Sequence, residues 1–198
     1  MSRNLGILTA PIWKENPIFF HVLGVCSALA VTTRVSNALV MGAAVMVTAV
    51  ATGGFVSLLR PVVHRSVRLL VEMLVIATFV ILFDVFLKAF AYPMSRQLGP
   101  YVGLIVTNCI LLGRAEAFAL KNPVWPSMLD GLGSGLGYSW VLVAVAVFRE
   151  ALGAGTLLGF RVLPDGAQPA QAIFLPPGAF FLMGIFVWVL YEVRRRSR

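Results

Sequence analysis

Six apolar runs along the chain are long enough, or nearly long enough, to cross the roughly 30 Å hydrocarbon core of a membrane. Basic residues punctuate these runs and are not gathered on one face. The predicted spans are residues 17–33, 36–59, 67–92, 100–113, 131–148 and 173–191. The pattern therefore predicts an all-α polytopic membrane protein with six transmembrane segments.

The first and fourth spans are the shortest. The fourth meets Arg114 after fourteen residues, whereas a full crossing needs about 20 apolar residues. We therefore expect the first and fourth helices to be short or interrupted.

A shift of 83 residues relates the two parts of the chain, because it lays Pro17 on Pro100 and Cys26 on Cys109. With three predicted crossings in each half, the halves must have opposite orientations in the membrane. Apart from these residues and the order of the spans, identity between the halves is poor. We predict a single integral membrane domain over residues 1–198, built from two inverted three-helix repeats of approximately 1–92 and 93–198.

Composition supports a membrane protein, since 59% of the 198 residues are hydrophobic and 12% are charged. The net charge of +8 comes from 16 Lys and Arg, but without a basic face it does not indicate a nucleic-acid partner. Eleven of these residues lie on the side of the C-terminal arginine tail. Four lie on the opposite side: Arg34, Arg96, Arg149 and Arg161. The positive-inside rule therefore places both termini in the cytoplasm.

Cys26 and Cys109 are the two cysteines of the chain, and both lie within apolar segments. Thiolates bind iron–sulfur clusters, zinc or copper, and the usual cluster or structural zinc site needs four protein ligands. One chain supplies two, so a complete site needs a second copy or a related subunit. Alternatively, both cysteines are small buried hydrophobic residues, or they form a disulfide, for which an apolar segment has no obvious use.

The neighbours of the cysteines fit either a metal site or ordinary helix packing. Gly24 allows another backbone to approach closely, and the amide of Asn108 is placed to donate hydrogen bonds to a sulfur. Gly131, Gly133, Gly135 and Gly137 alternate in the fifth span, where Gly131/Gly135 and Gly133/Gly137 pairs predict close helix packing.

Acidic residues within membrane spans are costly, so Glu72, Asp84 and Asp130 are candidates for an ion pathway. Asp84 precedes Lys88 by four residues, which also predicts a neutralising pair within one helix. Asp130 alternatively caps the helix that follows it. Arg114 and Glu116 are expected to anchor the fourth span or to pair with neighbours. The chain carries no catalytic triad, zinc-hydrolase motif or phosphate-binding loop that indicates a stand-alone enzyme.

Several motifs resemble the NqrD/RnfE family. They are Leu23-Gly24-Val25-Cys26-Ser27-Ala28-Leu29-Ala30-Val31-Thr32-Thr33, Val106-Thr107-Asn108-Cys109, Gly113-Arg114-Ala115-Glu116-Ala117-Phe118, Asp130-Gly131 and Phe148-Arg149-Glu150. The likeness spans nearly the whole chain. The stretch that follows Cys26 is more similar to the branch of the family in the sodium-translocating NADH:quinone reductase than to the Rnf branch.

The resemblance implies a membrane electron-transfer subunit of a translocase. It implies that Cys26 and Cys109 bind a [2Fe–2S] cluster at the middle of the membrane, shared with the homologous E subunit as an inverted, pseudo-symmetric partner. The expected neighbours are the flavin-bearing B and C subunits, the NADH-oxidising F subunit and the A subunit, in the bacterial cytoplasmic membrane. This chain alone is expected to bind neither NADH nor flavin and to have no catalytic activity of its own.

Three alternatives stay open at this point, the last of which is a scaffold subunit that only secures its neighbours. The first is the Rnf form of the same role, as an RnfE-type subunit of a ferredoxin:NAD oxidoreductase. The second belongs to another class, because inverted repeats, broken helices and intramembrane acids are also typical of secondary transporters. In a transporter without a cluster, the cysteines would be packing residues.

Overall fold

A computed structural model describes residues 6–8, 18, 23–64, 66–90, 92–153, 156–157, 160–161 and 176–196 of the chain. The helices are α1 (Val25–Val31), α2 (Val35–Leu59), α3 (Arg68–Phe90), α4 (Tyr92–Val106), α5 (Cys109–Arg114), α6 (Val124–Gly153) and α7 (Pro176–Arg196). A π-helical turn, Ala115–Ala119, continues α5, and the short strands β1 (Thr156–Leu157) and β2 (Phe160–Arg161) pair antiparallel after α6.

Four helical segments of the described part are long and apolar enough to cross a membrane: Val35–Leu59, Arg68–Phe90, Gly99–Ala119 and Val124–Ala151. They correspond to the second through fifth predicted spans, so the prediction of an all-α polytopic membrane protein is confirmed. Of the first predicted span, residues 18 and 23–33 are described, and they include the seven-residue helix α1. In α7, the apolar stretch Phe180–Val189 is shorter than a full span. The six-span inverted repeat stays a prediction.

Two spans are longer than the sequence predicts, because charged residues near their ends have partners within the protein. Arg114 does not end the fourth span, since its guanidinium pairs with Asp130. The fifth span, predicted at 131–148, begins at Val124 and continues to Gly153. Arg149, which the predicted topology places on the non-cytoplasmic side, is 1% exposed and lies inside α6. Its guanidinium has hydrogen-bond acceptors within the protein, and the side of the membrane on which it lies stays a prediction.

The centre of the fold is the contact between α2 and α6, where the two backbones touch. A Cβ atom on Gly131 would lie 2.7 Å from the carbonyl oxygen of Ala49, and one on Gly135 would lie 2.7 Å from Cα of Met46. Residues other than glycine would push the helices apart. The close packing predicted for the Gly131/Gly135 pair is therefore confirmed, whereas the structure gives no comparable distance for Gly133/Gly137.

The remaining helices pack around this pair. One apolar cluster joins α2 and α6 to α1, α4 and α5 through residues such as Met41, Ile110 and Tyr138. A smaller cluster joins α2, α3 and the π-helical turn through Val56, Val75 and Ala115. Large apolar side chains of α3 point outward: Leu69, Leu70, Leu74, Ile81, Leu82, Val85 and Phe86. Such a surface suits the lipid bilayer that the sequence predicts around the chain.

Candidate metal centre

The fourth span is interrupted immediately before Cys109. Helix α4 ends at Val106 and α5 begins at Cys109, which leaves Thr107 and Asn108 between them. Asn108 has an extended backbone, and its Oδ1 accepts a hydrogen bond of 3.1 Å from the amide of Ile110. Within a membrane, backbone groups freed by a break need partners inside the protein. Asn108 supplies one of them as the N-cap of α5, and the fourth helix is interrupted as the sequence predicts.

Helix α1 begins just before Cys26, at a turn that requires glycine. Gly24 precedes the helix with a φ of 81°, in the left-handed region that glycine adopts without steric cost. A Cβ atom at Gly24 would lie 2.5 Å from Cδ1 of Ile110 and 3.1 Å from Cε2 of Tyr138. A larger residue at this position would therefore be strained by the positive φ, and the side chain of Ile110 would have to move.

The two helix starts contact each other through the sulfur of Cys109. The amide N–H of Gly24 donates to Cys109 Sγ at 3.0 Å, across 85 positions of the sequence. Cys26 is the second residue of α1, and Cys109 is the first residue of α5. Cys26 is exposed, Cys109 is half-buried, and both are free thiols rather than a disulfide. The fold therefore brings together the two regions that the 83-residue shift relates.

A buried polar network lies beside these helix starts. Ser27 Oγ donates to the carbonyl oxygen of Gly24 at 3.1 Å and lies 2.6 Å from the hydroxyl of Tyr138. The side-chain amide of Asn108 donates to the same Ser27 Oγ at 3.4 Å. The sequence suggests that this amide donates to a sulfur, whereas in the structure it donates to Ser27 and the amide of Gly24 donates to Cys109. Ser27 and Tyr138 were not singled out by sequence reasoning, although each is a polar residue within an apolar run.

Two adjacent residues of α6 hold the corner between α1 and α2. Arg149 Nη1 donates to the carbonyl oxygen of Leu29 at 2.9 Å and to Thr32 Oγ1 at 2.8 Å. Glu150 Oε2 accepts a hydrogen bond of 2.7 Å from the amide of Val35, the first residue of α2. A cation thus meets the C-terminal end of α1 and an anion meets the N-terminal end of α2, which are the favourable signs at helix ends.

The three acidic candidates for an ion pathway lie in different surroundings. Asp84 Oδ2 is 2.6 Å from Lys88 Nζ, as expected for a pair within one helix. Asp130 accepts a 2.9 Å bond at Oδ2 from Arg114 Nε, and its second oxygen also contacts the Arg114 guanidinium. Because Asp130 lies seven residues into α6, the prediction that it caps a helix is wrong. Glu72 is 2% exposed, and neither carboxylate oxygen has a hydrogen-bond partner among the described residues.

Arg114 and Glu116, the two charged residues near the end of the predicted fourth span, both form ion pairs. Glu116 pairs with Arg68 at the start of α3, and Arg114 pairs with Asp130. These contacts connect the π-helical turn and α5 to two neighbouring helices. The expectation that Arg114 and Glu116 pair with neighbours is confirmed.

The chain on its own does not assemble a complete metal site in the part that the structure describes. There, no group of three or more His, Cys, Asp and Glu side chains lies together. Cys26 and Cys109 therefore offer two thiols where four ligands are usual for an iron–sulfur cluster. Any further ligands have to come from outside the described residues of this chain.

Comparison with known proteins identifies the family. The Rnf-Nqr subunit family, described as membrane proteins, matches residues 4–187. The chain is 52% identical over 193 residues to the D subunit of the Na(+)-translocating NADH-quinone reductase of Photobacterium profundum, covering 95% of this chain and 92% of that protein.

Two further relatives carry the same subunit name. That of Tolumonas auensis is 47% identical over 193 residues, which are 95% of this chain and 90% of the relative. That of Chlamydia trachomatis serovar L2 is 46% identical over 200 residues, covering 96% of this chain and 94% of the relative. With matches of this extent, the all-helical chain belongs to the Rnf-Nqr family of membrane subunits.

Proposed function

We propose that the chain is the D subunit of a sodium-translocating NADH:quinone oxidoreductase and relays electrons within the membrane. The observation that carries the proposal is the meeting of two helix starts at Cys109 Sγ, with Cys26 close to the start of the other helix. Relatives of nearly the full length of the chain bear the name of this subunit. The Rnf alternative receives no comparable support from those names.

The two thiols fit half of a [2Fe–2S] site. Cys26 is exposed on this chain and therefore accessible to a second protein that supplies the remaining two cysteines. The homologous E subunit, related by inverted pseudo-symmetry, is the proposed partner. The Gly24 N–H on Cys109 Sγ is the kind of hydrogen bond that stabilises negative charge on a cysteine ligand. When bound, the cluster would accept and release one electron at a time.

The same proposal covers the membrane topology of the chain and the other subunits of the complex. The chain would cross the bacterial cytoplasmic membrane six times, as two inverted three-helix repeats with both termini in the cytoplasm. The similar placement of Cys26 near the start of α1 and Cys109 at the start of α5 supports the repeat. The A, B, C and F subunits would complete the complex, so that NADH and flavins are bound by other chains.

Replacing Cys26 or Cys109 with alanine in the assembled complex tests the cluster. We expect each variant to lose iron, acid-labile sulfide and the EPR signal of the reduced cluster, together with quinone reduction by NADH. Thr107→Ala is the matched control, because Thr107 is exposed next to the break while both thiols remain. Full iron content and normal quinone reduction in both cysteine variants, with all subunits present, would reject the assignment.

The proteins that co-purify with the native chain separate the two forms of the complex. A sodium-translocating quinone reductase would bring the A, B, C, E and F subunits and sodium-dependent oxidation of NADH. An RnfE-type subunit would instead co-purify with a complex that couples ferredoxin to NAD. The first outcome is the one we expect.

A further inference from the structure

We propose that Tyr138 is a positioning residue for Cys109, because it holds the Gly24 turn whose amide donates to the cysteine sulfur. Tyr138 is fully buried in α6 and belongs to neither of the helices that carry a cysteine. It acts through Ser27, which lies next to Cys26. The effect on electron transfer rests on the proposed function, whereas the positioning itself does not.

The direction of the hydrogen bonds follows from the atoms that Ser27 offers. A serine hydroxyl has one proton to donate and two lone pairs to accept with. Ser27 Oγ donates to the Gly24 carbonyl and accepts from the amide of Asn108. The remaining lone pair accepts from the hydroxyl of Tyr138 at 2.6 Å, so Tyr138 is the donor. Without that hydroxyl, a buried oxygen loses one of its three partners.

Both backbone groups of Gly24 are held by the site. Its carbonyl accepts from Ser27 Oγ at 3.1 Å and from the amide of Ala28 at 3.1 Å, while its N–H donates to Cys109 Sγ. The ring of Tyr138 also packs closely on Gly24, since a Cβ atom there would lie 3.1 Å from Cε2. Tyr138 therefore restrains the turn by packing and, through Ser27, by hydrogen bonding.

The network also includes the other helix start. Asn108 caps α5 through its Oδ1 and reaches Ser27 through its amide nitrogen. Ser27 and Asn108 are each 3% exposed, so water does not readily replace a lost partner. Loosening the contact between Tyr138 and Ser27 is therefore expected to alter the geometry between Gly24 and Cys109.

The chemical consequence concerns the charge on the sulfur. An N–H donor to a cysteine ligand stabilises the more negative, reduced form of a cluster and so raises its reduction potential. Weakening this bond by about 1 kcal/mol, a typical net value for a hydrogen bond, changes the ratio of reduced to oxidised cluster about fivefold at a fixed ambient potential. Weakening the hydrogen bond from Gly24 to Cys109 should favour the oxidised form of the cluster.

Tyr138→Phe in the purified complex tests the proposal, with Tyr101→Phe as the matched control. Tyr101 is a half-buried tyrosine of α4 whose hydroxyl has no hydrogen-bond partner among the described residues. We expect unchanged iron content in both variants, and a redox titration by EPR should show a more negative midpoint potential for Tyr138→Phe alone. Ser27→Ala should give a shift of the same sign. If Tyr138→Phe does not assemble, Ser27→Ala decides the test.

A second measurement does not need the cluster. In the full-length chain carrying Cys26→Ala, alkylation of Cys109 by N-ethylmaleimide should be slower with Tyr138→Phe, by at most about fivefold, because weakening the N–H donor destabilises the reactive thiolate, and unchanged with Tyr101→Phe. Equal rates and equal potentials in the two tyrosine variants would overturn the proposal. If the complex holds no iron, the proposed function fails, but the alkylation rates still decide whether Tyr138 positions Cys109.

Discussion

Charged side chains inside the membrane segments mostly lie beside a partner of opposite sign. Lys88 neutralises Asp84 within α3, and Arg114 neutralises Asp130 between α5 and α6. An isolated charge costs several kcal/mol in such surroundings, and pairing recovers much of that cost. Glu72 differs from these residues, because its carboxylate has no hydrogen-bond partner among the described residues.

Glu72→Gln should therefore leave the thermal unfolding temperature of the purified complex unchanged or raise it. Glutamine keeps the shape of the side chain and removes a charge that is 2% exposed. Glu116→Gln, which removes the partner of Arg68 at a half-exposed pair, should lower stability by at most about 1 kcal/mol. A marked fall in the unfolding temperature of Glu72→Gln would contradict this expectation.

Asp130→Asn should be strongly destabilising, because it leaves the guanidinium of Arg114 without its carboxylate. Breaking a buried ion pair by removing one partner costs about 3–5 kcal/mol. The double variant Arg114→Met with Asp130→Leu removes both charges and should recover much of the lost stability. Denaturant titration of the complex, followed by tryptophan fluorescence, provides the measurement. Equal stability of the wild type and Asp130→Asn would show that the pair contributes nothing.

At the scale of helices, α2 and α6 depend on glycine where their backbones touch. Gly131→Ala should lower stability by about 1–3 kcal/mol, since the added Cβ would meet the Ala49 carbonyl and force the helices apart. Gly184→Ala is the matched control, because a Cβ at that position of α7 would have no described heavy atom within 4 Å apart from the backbone of its own helix. Thermal unfolding should separate the two variants, and an equally stable Gly131→Ala would disprove the close contact.

Apolar runs predict where most helices lie, because a membrane span needs length and hydrophobicity, and both are local properties. The sequence also predicts that the fourth helix is short or interrupted, since Arg114 follows too soon for an ordinary span, but it does not place the interruption before Cys109. The burial of Arg149 is not predictable, because its acceptors, Leu29 and Thr32, lie 120 and 117 residues away in sequence. From sequence alone, a charged residue at the end of an apolar run is assigned to a loop, because its distant hydrogen-bond acceptors are not known.

The candidate site was also predictable only in part, because its contacts join residues that are distant in sequence. The shared spacing of the cysteines indicates that Cys26 and Cys109 belong together. The donor to Cys109 is a backbone amide, that of Gly24, which no side-chain pattern reveals. Tyr138 lies 111 residues from Ser27, and its ring and hydroxyl give no signal within the periodicity of α6.

At the scale of the whole molecule, the two thiols differ in how much of each is accessible. In the full-length chain purified alone, Cys26 should react with N-ethylmaleimide faster than Cys109, because Cys26 is exposed and Cys109 is half-buried. Assembly of the complex should protect both thiols, because the proposed partner covers them. Mass spectrometry of alkylated peptides measures each rate. Unchanged labelling of Cys26 in the complete complex would argue against an interface at this surface.

The adjacent residues Arg149 and Glu150 have a mechanical consequence for the site. Because one bonds the end of α1 and the other the start of α2, neither helix end can slide independently along α6 while these bonds persist. A tilt or shift of α6 would carry Cys26 with it, as small helix displacements do in proteins that switch between states. In the proposed electron relay, the spacing between Cys26 and a redox group in a neighbouring subunit would then follow the movement of α6, and electron transfer would become sensitive to the conformation of the complex.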